Sequence, residues 1–147
     1  ATQPNRREVA SFLKENILPM EESGHLKFTS IPHDDILKNS ELGFDIFFAD
    51  GHTDKQMIPM INYKGKTICF MADLLPTVGH LPLPFVMGYD TRPLLTLDEK
   101  AQFLNEAADH NHYIFLEHDA HNEIITVQHT DKGVRLKDTY TFNQLFK

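Results

Sequence analysis

Three short apolar runs in this sequence end in residue types that can bind metal. Runs this apolar and this short predict buried strands, which end where polar residues begin. His52 follows the first run, Asp73 the second and His118 the third. If the strands lie in one sheet with their ends on one edge, these three side chains converge there. The runs are FDIFFA at 44–49, TICFM at 67–71 and YIFLE at 113–117.

Before the first apolar run, the pattern predicts one helix and one strand. Asn5 and Glu8 have the spacing of a capping box, and apolar residues then recur at helical intervals. We expect this helix to end near Ile17 or Leu18, because Pro19 is unfavourable inside a helix. Residues 25–31 alternate between polar and apolar and predict a half-buried strand.

Later elements follow from turn and cap residues. Gly65 predicts a hairpin between strands at 56–63 and 67–71, and a second hairpin is predicted around residues 130–133. Thr96 and Glu99 form a capping-box pattern that predicts the start of a helix ending near residues 109–111. Three further expectations complete the set: a short strand at Ile36 and Leu37, a turn at 119–122, and a C-terminal segment that docks through Phe142, Leu145 and Phe146.

Residues 74–93 show neither the hydrophobic period of a helix nor that of a strand. The stretch contains four prolines and two glycines and yet remains apolar, whereas a surface linker would be polar. Long irregular segments inside compact domains are usually functional. We therefore expect an ordered segment that lies over the body of the protein.

Composition narrows the class of protein. The chain has 147 residues and a net charge of -7, which argues against a nucleic-acid-binding face. No apolar run approaches the length of a membrane span. The lone cysteine, Cys69, lies in an apolar run, which predicts a buried structural thiol and a reducing, cytoplasmic location.

Two imidazoles and a carboxylate suit zinc, iron, manganese or cobalt. A charged group or an imidazole directly after a buried strand is costly to desolvate unless it is paired, hydrogen-bonded or bound to metal. A metal site at His52, Asp73 and His118 is therefore one interpretation. From the residues alone, a turn or cap role for each of them stays open.

Five motifs follow one another along the chain: GHTD at 51–54, ICFMADLLPT at 68–77, HLPLPFVMGYD at 80–90, TLDEKAQFLNEAA at 96–108 and FLEHD at 115–119. As an ordered set they resemble the C-terminal half of a metallo-β-lactamase-fold hydrolase. The resemblance covers nearly the whole chain, including the segment NRREVASFLKENILPM near its start. It implies an α/β (α+β) fold, one αβ half of a four-layer αββα sandwich, with a mixed sheet flanked by helices in a single domain over residues 1–147.

The resemblance also implies a set of site residues. His52 matches the family's histidine on the first metal, and His118 matches a histidine on the second. Asp73, the candidate catalytic residue, matches the carboxylate that bridges two metals, usually zinc. In that family the metals hold a hydroxide that attacks an ester, lactone, thioester or phosphoester. The residues that would line the substrate cleft are His80, Phe85, Met87 and Tyr89.

The sequence departs from the family in its main ligand motif. No His-x-His-x-Asp-His is present, and Lys55-Gln56 stands where Gly-His is common. We therefore expect a fragment of a longer hydrolase, inactive alone and weak in zinc binding because most ligands are missing. Half of a sandwich also leaves an apolar face, so we expect self-association or pairing with the N-terminal half, and a small-molecule substrate for the parent enzyme.

Two rival functions stay open. One is a non-catalytic α/β module that has lost its metal site and binds a partner through its open face. The other is an iron oxygenase with two histidines and one carboxylate. Such sites usually have a His-x-Asp or His-x-Glu pair, and neither His52 nor His118 is part of one with Asp73.

Overall fold

A mixed sheet organises the computed structural model, which describes residues 3–147. Within that range the sheet has seven strands, and their spatial order is their order along the chain. The strands are β1 (Ile36–Leu37), β2 (Asp45–Ala49), β3 (Gln56–Tyr63), β4 (Lys66–Phe70), β5 (Tyr113–Phe115), β6 (Ile124–Thr130) and β7 (Gly133–Tyr140). The helices are α1 (Lys14–Glu22), α2 (Pro93–His110) and α3 (Phe142–Phe146).

One parallel pair sets the direction of the strands. β4 pairs in parallel with β5, and every other neighbouring pair is antiparallel. A parallel pair needs a long crossover, and here the proline-rich segment and α2 supply it. Strands β2, β4 and β5 therefore run in the same direction. Their carboxyl ends lie on one edge of the sheet, which is the condition under which His52, Asp73 and His118 were expected to converge.

The two faces of the sheet differ. Alternate strand residues such as Ile58, Cys69 and Ile114 are fully buried in the core that also contains Phe103 and Ala107 of α2. Cys69 is a free, buried thiol, as predicted. The other face carries an apolar groove lined by Ile61, Tyr63, Ile68, Phe70, Phe115 and Phe142.

The chain divides into two compact units, and the first ends at Ile31. Its predicted helix is displaced. The Asn5 side chain accepts the Glu8 amide at 3.1 Å, but the residues that follow form turns and α1 begins only at Lys14. Pro19 lies inside α1, so the predicted end is wrong. The helix continues past Pro19 for one more turn, and the Pro19 carbonyl accepts Ser23 N at 3.0 Å.

The predicted strand at residues 25–31 is wrong as well. No strand is assigned to these residues, and Phe28 is 87% exposed. An alternating pattern becomes a strand only where a partner strand accepts its backbone hydrogen bonds. These residues have no place in the ladder of paired strands that begins at β1.

The second unit, Pro32–Lys147, follows the predictions more closely. Both hairpins and the short strand β1 form, and Gly65 has a positive φ of 75° in its turn. At the C-terminus, Thr141 and Gln144 cap α3 and the Phe146 ring packs 5.2 Å from the Tyr63 ring. No helix among residues 3–147 has the length and apolar character needed to cross a bilayer.

The start of α2 differs from the prediction. The helix begins at Pro93, three residues before the predicted cap at Thr96. Proline fits the first helical position because its φ is already helical and its missing amide would have no partner there. Thr96 is instead buried inside the helix. The Glu99 carboxylate does not cap the helix but accepts the backbone amides of Asp50 and Gly51.

Candidate metal centre

The structure brings His52, Asp73 and His118 together at the shared edge of the sheet. His52 Nε2 lies 3.4 Å from Asp73 Oδ2, and His118 Nε2 lies 3.1 Å from Asp73 Oδ1. Each histidine therefore faces a different oxygen of one carboxylate. The exposed fraction of the side chain rises from 17% for His52 to 30% for Asp73 and 47% for His118, so the cluster opens to solvent on the His118 side.

Asp73 reaches this position through a tight turn after β4. Ala72 has a φ of 45°, in the left-handed region that residues with a Cβ rarely adopt. The preceding residue, Met71, still donates its amide to the Phe115 carbonyl of β5 at 3.1 Å. The chain therefore leaves the sheet at Ala72 and directs the Asp73 carboxylate towards both histidines.

The loop that carries His52 is packed against the first turn of α2. A Cβ on Gly51 would lie 2.4 Å from the Thr96 backbone nitrogen, so only glycine fits there. Arg92 N donates to Gly51 O at 2.8 Å, and Thr91 N donates to His52 O at 3.1 Å. These contacts fix the backbone that presents His52.

Side chains of α2 and its cap hold the same loop. Both oxygens of Glu99 accept backbone amides, from Asp50 at 2.7 Å and from Gly51 at 3.0 Å. Burial raises the pKa of Glu99, and these two hydrogen bonds oppose that shift. Arg92 Nη1 donates to Asp50 O at 2.6 Å, and its Nη2 pairs with Asp54. The sequence did not point to Arg92, and it assigned Glu99 only to a helix cap.

Asp90 is a second residue that sequence reasoning missed. Its side chain is 1% exposed, and its Oδ1 lies 2.9 Å from His52 Nδ1. An ionised carboxylate only accepts hydrogen bonds, so this contact places a proton on Nδ1 and leaves Nε2 to face Asp73. A carboxylate behind a histidine commonly orients that ring towards a metal. The only signal in the sequence is an acidic residue at the end of an apolar segment.

The turn after His118 depends on Asp119. Its carboxylate accepts the amides of His121, Asn122 and Val78, all at 2.9–3.0 Å. Burial alone would raise the pKa of Asp119, but these hydrogen bonds outweigh it and lower the pKa below its usual value. The predicted turn at 119–122 is confirmed, and it also ties the strand end that carries His118 to Val78.

The geometry can be tested against a metal site. Two ligands of a tetrahedral zinc, each bound at about 2.0–2.1 Å, lie about 3.3 Å apart. The separations of 3.4 and 3.1 Å fit this edge. The same separations are those of the hydrogen bond and the ion pairs between these side chains. Two ions, each held by one histidine, would be compatible with them if both used the Asp73 carboxylate. Among residues 3–147 no group of three or more His, Cys, Asp or Glu side chains is arranged to hold one ion. Each position would thus have two donors from this chain.

The predicted substrate residues do not form an enclosed cleft. His80 Nδ1 lies 2.9 Å from Thr77 Oγ1, and burial followed by the Lys100 charge lowers the pKa of His80. Phe85 is 58% exposed and Tyr89 is 77% exposed, while Met87 is half-buried. These apolar side chains lie on the surface of the segment that leads into Asp90.

No family model matches the sequence, and no curated protein matches it either. Solved structures do. AidC, a dizinc quorum-quenching lactonase, is 21% identical with a TM-score of 0.68, over 88% of this chain and 42% of its own. AbOPH, a hydrolase of the beta-lactamase superfamily, is 20% identical with a TM-score of 0.68, over 87% and 43%. A probable metal-dependent hydrolase from Staphylococcus aureus is 20% identical with a TM-score of 0.58, over 73% and 39%.

These likenesses define the fold. The chain has a mixed sheet with helices that matches part of metallo-β-lactamase-fold hydrolases, as the resemblance in sequence implied. It spans about two fifths of the length of those proteins. The neighbours with which it shares the fold are metal-dependent hydrolases.

Proposed function

We propose that this chain supplies one side of a two-metal hydrolase centre, with His52 on one zinc, His118 on the other and Asp73 between them. The supporting observation is that the two Nε2 atoms face opposite oxygens of one carboxylate at tetrahedral-edge distances of 3.4 and 3.1 Å. A single structural metal would instead need its donors to converge on one point.

The chain's own residues orient the donors. Asp90 holds the His52 ring by Nδ1, and Glu99 and Arg92 hold the backbone of Asp50 and Gly51 just before it. Zinc bound there would lower the pKa of a coordinated water and polarise an ester, lactone, thioester or phosphoester. Phe85 and Tyr89 are exposed on the segment that leads into Asp90, and we propose that they supply the apolar contacts to a small substrate.

Zinc titration of the full chain, followed by competition with a chromogenic chelator, tests the proposal. We expect binding weaker than micromolar, because each position has two protein donors and structural zinc sites have four. The variant Asp73→Asn should abolish even this binding, since it removes the shared carboxylate from both positions. Asp98→Asn, an exposed aspartate of α2, is the matched control and should bind as the parent chain does.

Two results would contradict the proposal. Equal zinc affinity in Asp73→Asn and the parent chain would remove Asp73 from the site, and sub-micromolar affinity would mean that the donor set is complete without further ligands. We expect hydrolysis of ester, lactone or phosphoester substrates only when further protein donors, such as those of a His-x-His-x-Asp-His motif, complete each metal position. A longer reading frame with an upstream His-x-His-x-Asp-His motif is the corresponding sequence check.

The rival proposal is a non-catalytic module that binds a partner through the apolar groove on the open face of the sheet. In that case Asp73 would only contact the two histidines at the sheet edge, without a metal. Asp73→Asn would then leave metal binding unchanged and lower stability instead. The zinc titration therefore separates the two proposals.

A further inference from the structure

Lys100 is a fully buried lysine in the middle of α2, with 0% of its surface exposed. Its ammonium donates to three backbone carbonyls, those of His80 at 3.0 Å, Pro82 at 3.4 Å and Phe85 at 2.5 Å. An ammonium has three donors, so these carbonyls use its full capacity. All three acceptors belong to one short stretch of the proline-rich segment.

The far end of that segment is fixed by a buried group of opposite charge. Asp90 is 1% exposed and contacts His52 Nδ1 at 2.9 Å. The Asp90 carboxylate also acts electrostatically on the Lys100 ammonium and on His80. Residues 80–90 are thus held by two buried groups of opposite charge. Lys100 attaches the start of the segment to α2, and Asp90 attaches its end to His52, a candidate metal ligand.

Other hydrogen bonds of the segment are local. Leu81 N donates to Val78 O at 3.1 Å, and Phe85 N donates to Pro82 O at 3.0 Å. Its prolines lack amides, so they donate no backbone hydrogen bonds. Phe85 and Tyr89 are exposed and contribute little burial. Leu81 is the buried apolar anchor, at 3% exposed. The three carbonyls around Lys100 would lose their common donor if the ammonium were removed.

We propose that Lys100 and Asp90 are positioning residues that clamp residues 80–90 as a rigid wall between α2 and His52. Lys100 fixes the backbone conformation around Phe85. Asp90, at the end of the same segment, then fixes the orientation of the His52 ring through its contact with Nδ1. The His52 part of this inference rests on the proposed metal centre. The clamp itself does not depend on metal.

Nuclear magnetic resonance on the metal-free full chain tests the clamp directly. In the parent chain, a Lys100 ammonium enclosed by three carbonyls should give a slowly exchanging signal under conditions where that of the exposed Lys132 is lost. His52 should show a slowly exchanging Nδ1 proton. If the ammonium of Lys100 exchanges as fast as that of Lys132, the clamp does not exist.

Variants then test the coupling. Lys100→Met keeps the length of the side chain but removes its donors. It should accelerate amide exchange at Leu81 and Phe85 by roughly tenfold or more, with no change at β6 and β7. It should also accelerate exchange of the His52 Nδ1 proton while leaving the amides of Asp50 and Gly51, which Glu99 of the same helix holds, unchanged. Lys132→Met is the matched control and should change neither.

Asp90 is tested by an apolar and a conservative variant. Asp90→Leu should abolish the slow Nδ1 signal of His52, and Asp90→Asn should restore it because the amide oxygen accepts the same proton. Unchanged Leu81 and Phe85 exchange in Lys100→Met, or a slow Nδ1 signal in Asp90→Leu, would overturn the proposal. If a variant fails to fold, the exchange rates of the Lys100 ammonium and the His52 Nδ1 proton in the parent chain still decide whether the clamp exists. Because no metal is present, failure of zinc binding is a separate result.

Discussion

At the scale of single residues, the candidate site depends on the backbone conformation of Ala72 and on the absence of a Cβ at Gly51. Ala72 takes a left-handed φ of 45° so that Asp73 can face two histidines. Gly51 lies against the Thr96 backbone where a Cβ would overlap it. The glycine was recognisable in the sequence as the end of a strand. Its contact with α2 was not, because Thr96 is distant along the chain.

Gly51→Ala should destabilise the second unit by about 1–3 kcal/mol, the usual range for forcing extra volume into a packed site. The added Cβ would lie 2.3–2.6 Å from three atoms of Thr96, two of them backbone atoms that cannot rotate away. Urea unfolding monitored by circular dichroism measures the effect.

Gly88→Ala is the matched control, because a Cβ at this position would have no heavy atom within 4 Å and the φ of Gly88 lies outside the left-handed region. It should unfold close to the parent midpoint. Equal midpoints for the two variants would show that the His52 loop does not pack on α2 as described.

At the scale of elements, α2 both fills the core and organises the site. Its fully buried positions are Thr96, Lys100, Phe103, Leu104 and Ala107. Of the apolar face expected from the sequence, Leu104 is fully buried, whereas Leu97, Ala101 and Ala108 are half-buried. Lys100 lies three residues before Phe103, on the buried stripe. A helical projection centred on Phe103 would have found it, since a lysine on that stripe needs a buried partner.

Lys100 also predicts a pH dependence. Burial lowers the pKa of Lys100 from 10.5 to about 8, and the charge of Asp90 opposes the shift. Between these two values the folded chain has released a proton that the unfolded chain still binds. Stability contributed by this residue therefore rises as pH increases from about 8.

The measurement is the difference in unfolding free energy between the parent chain and Lys100→Met at several pH values. This difference should increase with pH by at most about 1.4 kcal/mol per unit. Taking the difference removes the opposing contribution of Cys69, whose pKa burial raises to about 12. The same difference for Lys132→Met should stay flat, and a flat curve for Lys100→Met would contradict the shift.

At the scale of the whole molecule, the second unit has one covered and one open sheet face. Tyr63 is 45% exposed and Phe142 is 44% exposed within the apolar groove. Contiguous apolar surface of this kind usually marks an interaction site. The chain matches about two fifths of the length of its structural neighbours. The expectation that self-association or another part of the fold covers this groove stays a prediction.

We therefore expect the isolated chain to self-associate, which sedimentation velocity over a range of concentrations will measure. Ile61→Lys places a charge in the groove and should shift the chain towards monomer. Leu42→Lys changes a 69% exposed leucine outside the groove and should not. A single monomeric species at high concentration would contradict the expectation.

Local pattern determined where the strands of the second unit end and which residues stand there. Buried strands are short apolar runs, and a polar residue after such a run marks the sheet edge. His52, Asp73 and His118 were found in this way, and the hairpins followed from their turns. The same logic failed before Ile31, because alternation and a capping pattern do not specify an element that lacks packing partners.

Tertiary structure alone decided how the site is held. The hydrogen bond from His52 to Asp90 spans 38 residues, and that from Asp50 to Glu99 spans 49. The Lys100 ammonium reaches back 15 to 20 residues to its carbonyls. Periodicity reports which face of an element is buried, but it does not report which backbone atoms arrive beside it. Three residues able to bind metal could therefore be recognised in the sequence, and the contacts that orient them appeared only once the chain had folded.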